Sequence, residues 1–203
     1  PDDLIKPAVN GLEWCLNSSV KINIKRFVMT SSFSAIGAGS KEKELDDTNW
    51  TDLDNPNISP YDISKTKAEM FLWEYVSKLD KSQSIEVCSI NPVIVVGPSL
   101  SEDVGVSNTV VKKLLDGSSP MVPRFGVNLV DVKDVADMHI EAMINPKAAG
   151  KRFLLSSESL WFTEVSNILR SNNFKKAQKI TEPNFLIKIF LLTRRLYWFR
   201  HKM

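Results

Sequence analysis

The sequence predicts an α/β protein, an open parallel sheet whose strands are joined by crossover helices. Three observations predict it. Short β-prone apolar runs stop at polar or proline-containing clusters, helical periodicities fill the intervals between them, and no internal repeat or low-complexity segment interrupts the alternation. The composition agrees, with 43% hydrophobic and 25% charged residues in 203, ordinary for a soluble globular domain. With 26 Lys and Arg against 24 Asp and Glu, the net charge of +2 provides no field for a nucleic-acid partner.

The elements follow in order. From Asp2 to Leu16, the residues Ile5, Ala8, Val9, Leu12 and Leu16 recur at helical spacing, with Pro7 near the start. Arg26-Phe27-Val28-Met29 reads as a buried strand that empties into Thr30-Ser31-Ser32. A loop rich in Asp, Asn and Pro runs from Gly37 to Ser59, longer than most connections and therefore a functional or inserted segment. Ser59, Pro60 and Asp62 supply a capping hydroxyl, a proline at the first helical position and a first-turn carboxylate, so a helix runs from there to about Lys78. Ile85 to Ile90 is a strand ending at Asn91-Pro92, and Val93 to Val96 carries the chain to Gly97-Pro98. Ser107 is expected to cap a helix that Gly117 stops in the left-handed conformation. Leu129-Val130 is a short strand, Asp131 opens a helix, Lys151 to Ser156 is a strand, and Thr163 to Ser171 is a helix. In such a sheet, ligands bind at the carboxyl ends of strands, so function is expected just after Met29 and just after Ile90.

Chemistry concentrates at those ends. Tyr61 and Lys65 are four apart on one predicted helix and so share a face. A free phenol keeps its proton to about pH 10. A unit positive charge about 4 Å away is worth on the order of 4 kcal/mol at an effective dielectric of about 20, enough to make a phenol a proton shuttle near neutrality. Taken alone, the pair is also what a solvated helix surface displays. The Thr30-Ser31-Ser32 cluster adds an independent element, because the Ser32 hydroxyl can donate to a carbonyl oxygen that the tyrosine protonates; its bland counterpart is a Ser/Thr turn.

Four strings stand in a familiar order: Arg26 to Ser32, Tyr61-Asp62-Ile63-Ser64-Lys65-Thr66-Lys67-Ala68-Glu69, Asn91 to Pro98, and Val130 to Ala136. Together they resemble the extended short-chain dehydrogenases/reductases, the NAD-dependent epimerase/dehydratase superfamily, and within it the branch of dihydroflavonol 4-reductase-like aldehyde and ketone reductases. The resemblance covers roughly residues 1–171. It implies a Rossmann-like sheet that binds NADP(H), with NAD(H) as the alternative, and hydride transfer to a small-molecule carbonyl. It further implies that Ser32 is the catalytic serine, Tyr61 the proton donor, and Lys65 the lysine that holds the nicotinamide ribose and tunes the tyrosine. Thr30 and Ser31 would line the floor of the nicotinamide pocket and Pro92, Val93 and Ile94 its wall, with 99–109 and 121–125 on the substrate side.

On this reading, residues 1–98 are the carboxyl-side half of the cofactor domain. Residues 99–203 are a partial substrate domain, with cofactor-domain elements returning over about 127–145. No set of the eight glycines completes a G-x-G-x-x-G or P-loop phosphate cradle, since Gly37 and Gly39 are followed by Glu42 where the third glycine would stand, and the chain opens on Pro1, so it reads as a fragment; the resemblance implies that it is truncated at the carboxyl end as well. A nucleotide-sugar epimerase or dehydratase shares the Ser, Tyr and Lys, and a noncatalytic remnant shares the fold; the run Thr30 to Gly37, which lacks a tyrosine, favours the reductase. Cys15, Cys88, His139 and His201 make neither a disulfide framework nor a zinc site, so no metal is expected and a reducing, cytoplasmic setting is the default. His139 reads as a helix-face residue with no part in catalysis. No apolar run reaches the roughly 18 residues of a membrane span. The basic, aromatic stretch 185–203 reads as a substrate-domain helix in preference to a membrane-surface helix.

Overall fold

A computed structural model describes residues 2–80, 83, 85–102, 105–119, 121–122 and 124–177. The chain divides into two units, one of Pro1–Val93 with Val130–Ser156 and the other of Ile94–Leu129 with the described residues from Ser157 on.

The first unit is built on a parallel sheet of β1 (Arg26–Thr30), β2 (Glu86–Pro92) and β5 (Arg152–Leu155), in the order β1-β2-β5. Its register sets Thr30 opposite Ile90 and Ser89 opposite Arg152. Side chains alternate along these strands, and the two faces are covered separately. Phe27, Met29 and Val87 face α1 (Asp2–Lys21) and α2 (Pro60–Ser77), where Leu16 and Leu72 are fully buried. Val28, Cys88, Ile90, Phe153 and Leu155 face α4 (Val132–Ile144) through Met138 and Ala142. Helices on both faces of a parallel sheet make this the Rossmann-like α/β arrangement that the sequence predicts.

Local chemistry explains the helix ends. Ser59 accepts from the Asp62 amide (3.2 Å) while the Asp62 carboxylate accepts from the Ser59 amide (2.9 Å), a reciprocal cap with Pro60 behind it. Asp131 caps α4 by accepting from the Lys133 amide at 2.7 Å. At the other end of α4, the Arg26 guanidinium donates to the carbonyls of Ala142, Met143 and Asn145. α1 runs five residues past the expected Leu16, because the Ser18 and Ser19 hydroxyls bond back to the Trp14 and Cys15 carbonyls and Val20 joins the core.

The second unit holds a sheet in the order β3-β4-β6, formed by β3 (Ile94–Val96), β4 (Gly126–Asp131) and β6 (Glu158–Trp161), with β6 antiparallel to β4. Its core gathers Leu114 of α3 (Gly105–Leu115), Val122, Val127, and Phe162 and Val165 of α5 (Phe162–Ser171). Two expectations change here. Ser107 lies inside α3 and not at its cap, because the first turn already starts at Gly105, whose carbonyl accepts from the Thr109 hydroxyl. β6 was not foreseen, since of its four residues only Leu160 packs inward and its strand identity depends on β4. Gly117 adopts the expected left-handed conformation, with φ of 75°. The expectation for 185–203 falls outside the described residues.

Candidate active site

The carboxyl ends of β1 and β2 lie side by side, joined past the strand by the Ser31 amide, which donates to the Ile90 carbonyl at 2.8 Å. Beyond Thr30 the chain makes a single 3-10 turn, Phe33–Ala35, capped by Ser32. The Ser32 hydroxyl accepts from the Ser34 amide at 3.1 Å, which leaves its own proton to donate. Helix α2 is tied to this turn. The Thr66 hydroxyl lies 3.0 Å from the Ser34 carbonyl and 2.8 Å from the Asp62 carbonyl of its own helix. The structure therefore brings the Ser32 turn against the helix that carries Tyr61 and Lys65.

Tyr61 sits in the first turn of α2 with 49% of its surface exposed. The Lys65 ammonium lies 5.7 Å from the centroid of its ring, on the same helix face. Pro92 ends β2, fully inside the sheet, and Val93 donates its amide to Leu155 of β5. Ile94 begins β3, in the second unit.

The three hydroxyls of Thr30-Ser31-Ser32 point to three different partners. Thr30 meets His139 of α4, with 2.7 Å between Oγ1 and Nε2. His139 Nδ1 is 2.7 Å from the Val135 carbonyl, which can only accept, so in the neutral ring Nδ1 carries the proton and the Thr30 hydroxyl donates to Nε2. Ser31 turns inward, 4% exposed, and its hydroxyl donates to Glu69 Oε2 at 2.5 Å. Among the three, Ser32 alone has its hydroxyl proton uncommitted in the hydrogen bonds of the described residues.

Glu69 and Arg152 are what the sequence reading missed. The Glu69 side chain, 0% exposed, forms an ion pair with Arg152 at 2.6 Å. It also accepts from Ser31, from Ser89 (2.8 Å) and from Asn91 (2.6 Å), with the Trp73 indole at 3.4 Å. Burial pushes the Glu69 carboxyl up, but the Arg152 and Ser31 hydrogen bonds, the Arg152 charge and the Asn91 hydrogen bond together outweigh it and hold it below the usual carboxylate range. The only signal in the sequence is that Tyr61, Lys65 and Glu69 follow one another at intervals of four along the helix.

The long loop packs back on this site. The Arg152 guanidinium stacks on Trp50 at 3.7 Å and donates to the carbonyls of Asp47 (2.9 Å) and Asn49 (2.6 Å). The loop encloses a recess of about 530 Å³ lined by Ile36, Gly37, Leu45, Trp50 and Asn55 among others, but not by Ser32, Tyr61 or Lys65. Gly39 is required in its wall, since its φ is +69° and an added Cβ would stand 2.9 Å from the Asn55 amide nitrogen. Among the described residues no group of three His, Cys, Asp or Glu is placed to hold a metal ion. No described helix is long and apolar enough to cross a membrane.

Residues 1–155 match the family described as NAD dependent epimerase/dehydratase. Cinnamoyl-CoA reductase 1 of Arabidopsis thaliana is 33% identical over 174 residues, covering 83% of this chain and 49% of that protein. The NADPH-dependent methylglyoxal reductase GRE2 of Saccharomyces cerevisiae is 28% identical over 188 residues, covering 84% and 55%. The crystal structure of Gre2 in complex with NADPH from Candida albicans superposes with a TM-score of 0.74 at 26% identity, covering 88% of this chain and 58% of that one. The chain thus spans about half the length of the curated relatives it matches.

Proposed function

The chain belongs to the NAD dependent epimerase/dehydratase family, and on that premise we propose that it carries the catalytic residues of an NADPH-dependent reductase that converts a small aldehyde or ketone to the alcohol. One observation carries the reading. Tyr61 and Lys65 share a face of α2, and Thr66, the residue after Lys65, is hydrogen-bonded to the turn that Ser32 caps. Reductases acting with NADPH among the relatives support the cofactor and the reaction class.

The residues present fit the nicotinamide-ribose end of the cofactor. Lys65, half-buried beside Tyr61, would hold the ribose, and Pro92 and Val93 close the end of the strand next to β1. The Thr30 and Ser31 hydroxyls are engaged with His139 and Glu69, so these two residues would offer backbone, not hydroxyl, to the ring. When bound, the reduced nicotinamide supplies the hydride to the carbonyl carbon. Ser32 then donates to the carbonyl oxygen and orients it, and Tyr61 gives that oxygen its phenolic proton as the C=O pair moves onto it. Lys65 stabilises the phenolate left behind, and Tyr61 regains its proton from solvent, to which it is half open.

The test is an NADPH titration followed by NADPH oxidation with a panel of aliphatic and aromatic aldehydes, for the chain and for Tyr61→Phe. The variant is expected to lose at least about 10²-fold in turnover while binding NADPH with unchanged affinity. Retained turnover in Tyr61→Phe overturns the assignment, and so does a folded chain that neither binds NADPH nor oxidises it.

A further inference from the structure

The buried ion pair grips the Ser32 segment from several sides. Glu69 stands one turn beyond Lys65, which is itself one turn beyond Tyr61, on the same stripe of α2. Its Oε2 receives the Ser31 hydroxyl and the Asn91 amide, and that same Asn91 amide nitrogen donates to the Ser32 carbonyl at 3.1 Å. Its Oε1 receives Arg152, whose guanidinium reaches onward to the carbonyls of Ala35 (3.4 Å), Asp47 and Asn49. Thr51 closes the circuit: its amide donates to Ala35 and its hydroxyl to Ser34.

Most of the network's outputs are therefore backbone carbonyls at the two ends of the segment 32–51. Four polar side chains with a full charge pair, all buried, are costly to assemble where apolar packing would serve. Here they hold one turn in register with one helix face. No buried side-chain nitrogen or oxygen among the described residues lacks a partner, so the arrangement is complete without a ligand.

We propose that Glu69, held by Arg152, is the positioning residue of the site. It sets the distance between the Ser32 hydroxyl and the Tyr61–Lys65 face by fixing the Ser31-Ser32 backbone through Ser31 and Asn91. This rests on the reductase reading for its kinetic consequence and on the hydrogen bonds alone for its structural one. Glu69 touches neither substrate nor cofactor and acts only through Ser32.

The test uses Glu69→Gln, Ser32→Ala and the double variant in the whole chain. If Glu69 works through Ser32, Glu69→Gln lowers kcat about tenfold or more with KM for NADPH unchanged, and adds little once Ser32 is already Ala. Losses that multiply in the double variant overturn the proposal. Amide exchange gives the second readout, independent of turnover. Glu69→Gln should speed exchange at Ala35, Ile36, Gly37 and Thr51, whose amides bond within the gripped segment, about tenfold relative to the amides of α4. Unchanged or uniformly raised exchange overturns the proposal, even in a chain that shows no turnover and so has failed the reductase reading. If Glu69→Gln does not fold, Asn91→Leu replaces it, cutting the link to Ser32 while leaving the ion pair in place.

Discussion

Replacing Arg152 by Met removes a charge while keeping much of the side chain's length. The carboxylate of Glu69 then remains at 0% exposure with no cation, still accepting from Ser31, Ser89 and Asn91. Breaking one side of a buried pair costs about 3–5 kcal/mol, against a total stability of about 5–15 kcal/mol for a typical domain. The variant should therefore fold but unfold at a urea midpoint lower by roughly 2 M, for a slope of about 2 kcal/mol per M. The loss should also depend on pH, with a determinate sign. In the parent chain the Glu69 carboxyl titrates below the usual range, so its contribution is present above the unfolded carboxylate range and is lost as pH falls through the folded value. In Arg152→Met the burial that pushes the carboxyl up has lost its main opponent, the group titrates above the unfolded range, and acid restores stability by neutralising it. The gap between the two chains should thus be widest near pH 7 and narrow toward pH 5. The exposed Asp46 and Asp116, also held low by their Thr48 and Ser118 hydrogen bonds, are common to both chains and cancel. Urea titrations read by tryptophan fluorescence at the two pH values check this. A loss under about 1 kcal/mol, or a gap that widens in acid, would refute the reasoning that Glu69 is a charged group dependent on Arg152.

Two smaller predictions bear on how α2 is started and tied down. Ser59→Ala removes one half of the reciprocal cap and should cost about 1 kcal/mol in urea unfolding, with NADPH affinity unchanged; a neutral result would mean that Pro60 and Asp62 suffice. Thr66→Val keeps the volume of a fully buried side chain and deletes the hydroxyl between the Asp62 and Ser34 carbonyls. It should cost about 0.5–1.5 kcal/mol and lower aldehyde turnover by more than that stability change explains, a split read by comparing kcat with the fraction folded.

What was legible in the sequence was what short-range chemistry decides. The Ser59-Pro60-Asp62 start of α2 and the Asp131 start of α4 are local caps, and both stand where their residues place them. The Tyr61–Lys65 face is a consequence of helical period alone. Where the reading stopped short, the deciding partner was remote. β6 is a strand because β4 lies beside it, and α1 continues past Leu16 because Val20 finds the sheet. The site shows the same division more sharply. The family resemblance separates the roles of Ser31 and Ser32, but no local pattern says where their hydroxyls go: strand alternation sends the Ser31 hydroxyl under the sheet end to Glu69 and leaves Ser32 to cap the turn. Arg152 is 83 positions from Glu69, and only the pairing of β5 with β2 sets it beside Ser89 and the carboxylate. A local pattern can thus name the groups proposed for the chemistry, whereas the groups that hold them in place are assembled by the sheet. Glu69 belongs to both sets of information: its place in the Tyr61–Lys65 stripe is written in the helix period, but its burial, charge and partners exist only once β1, β2 and β5 are side by side.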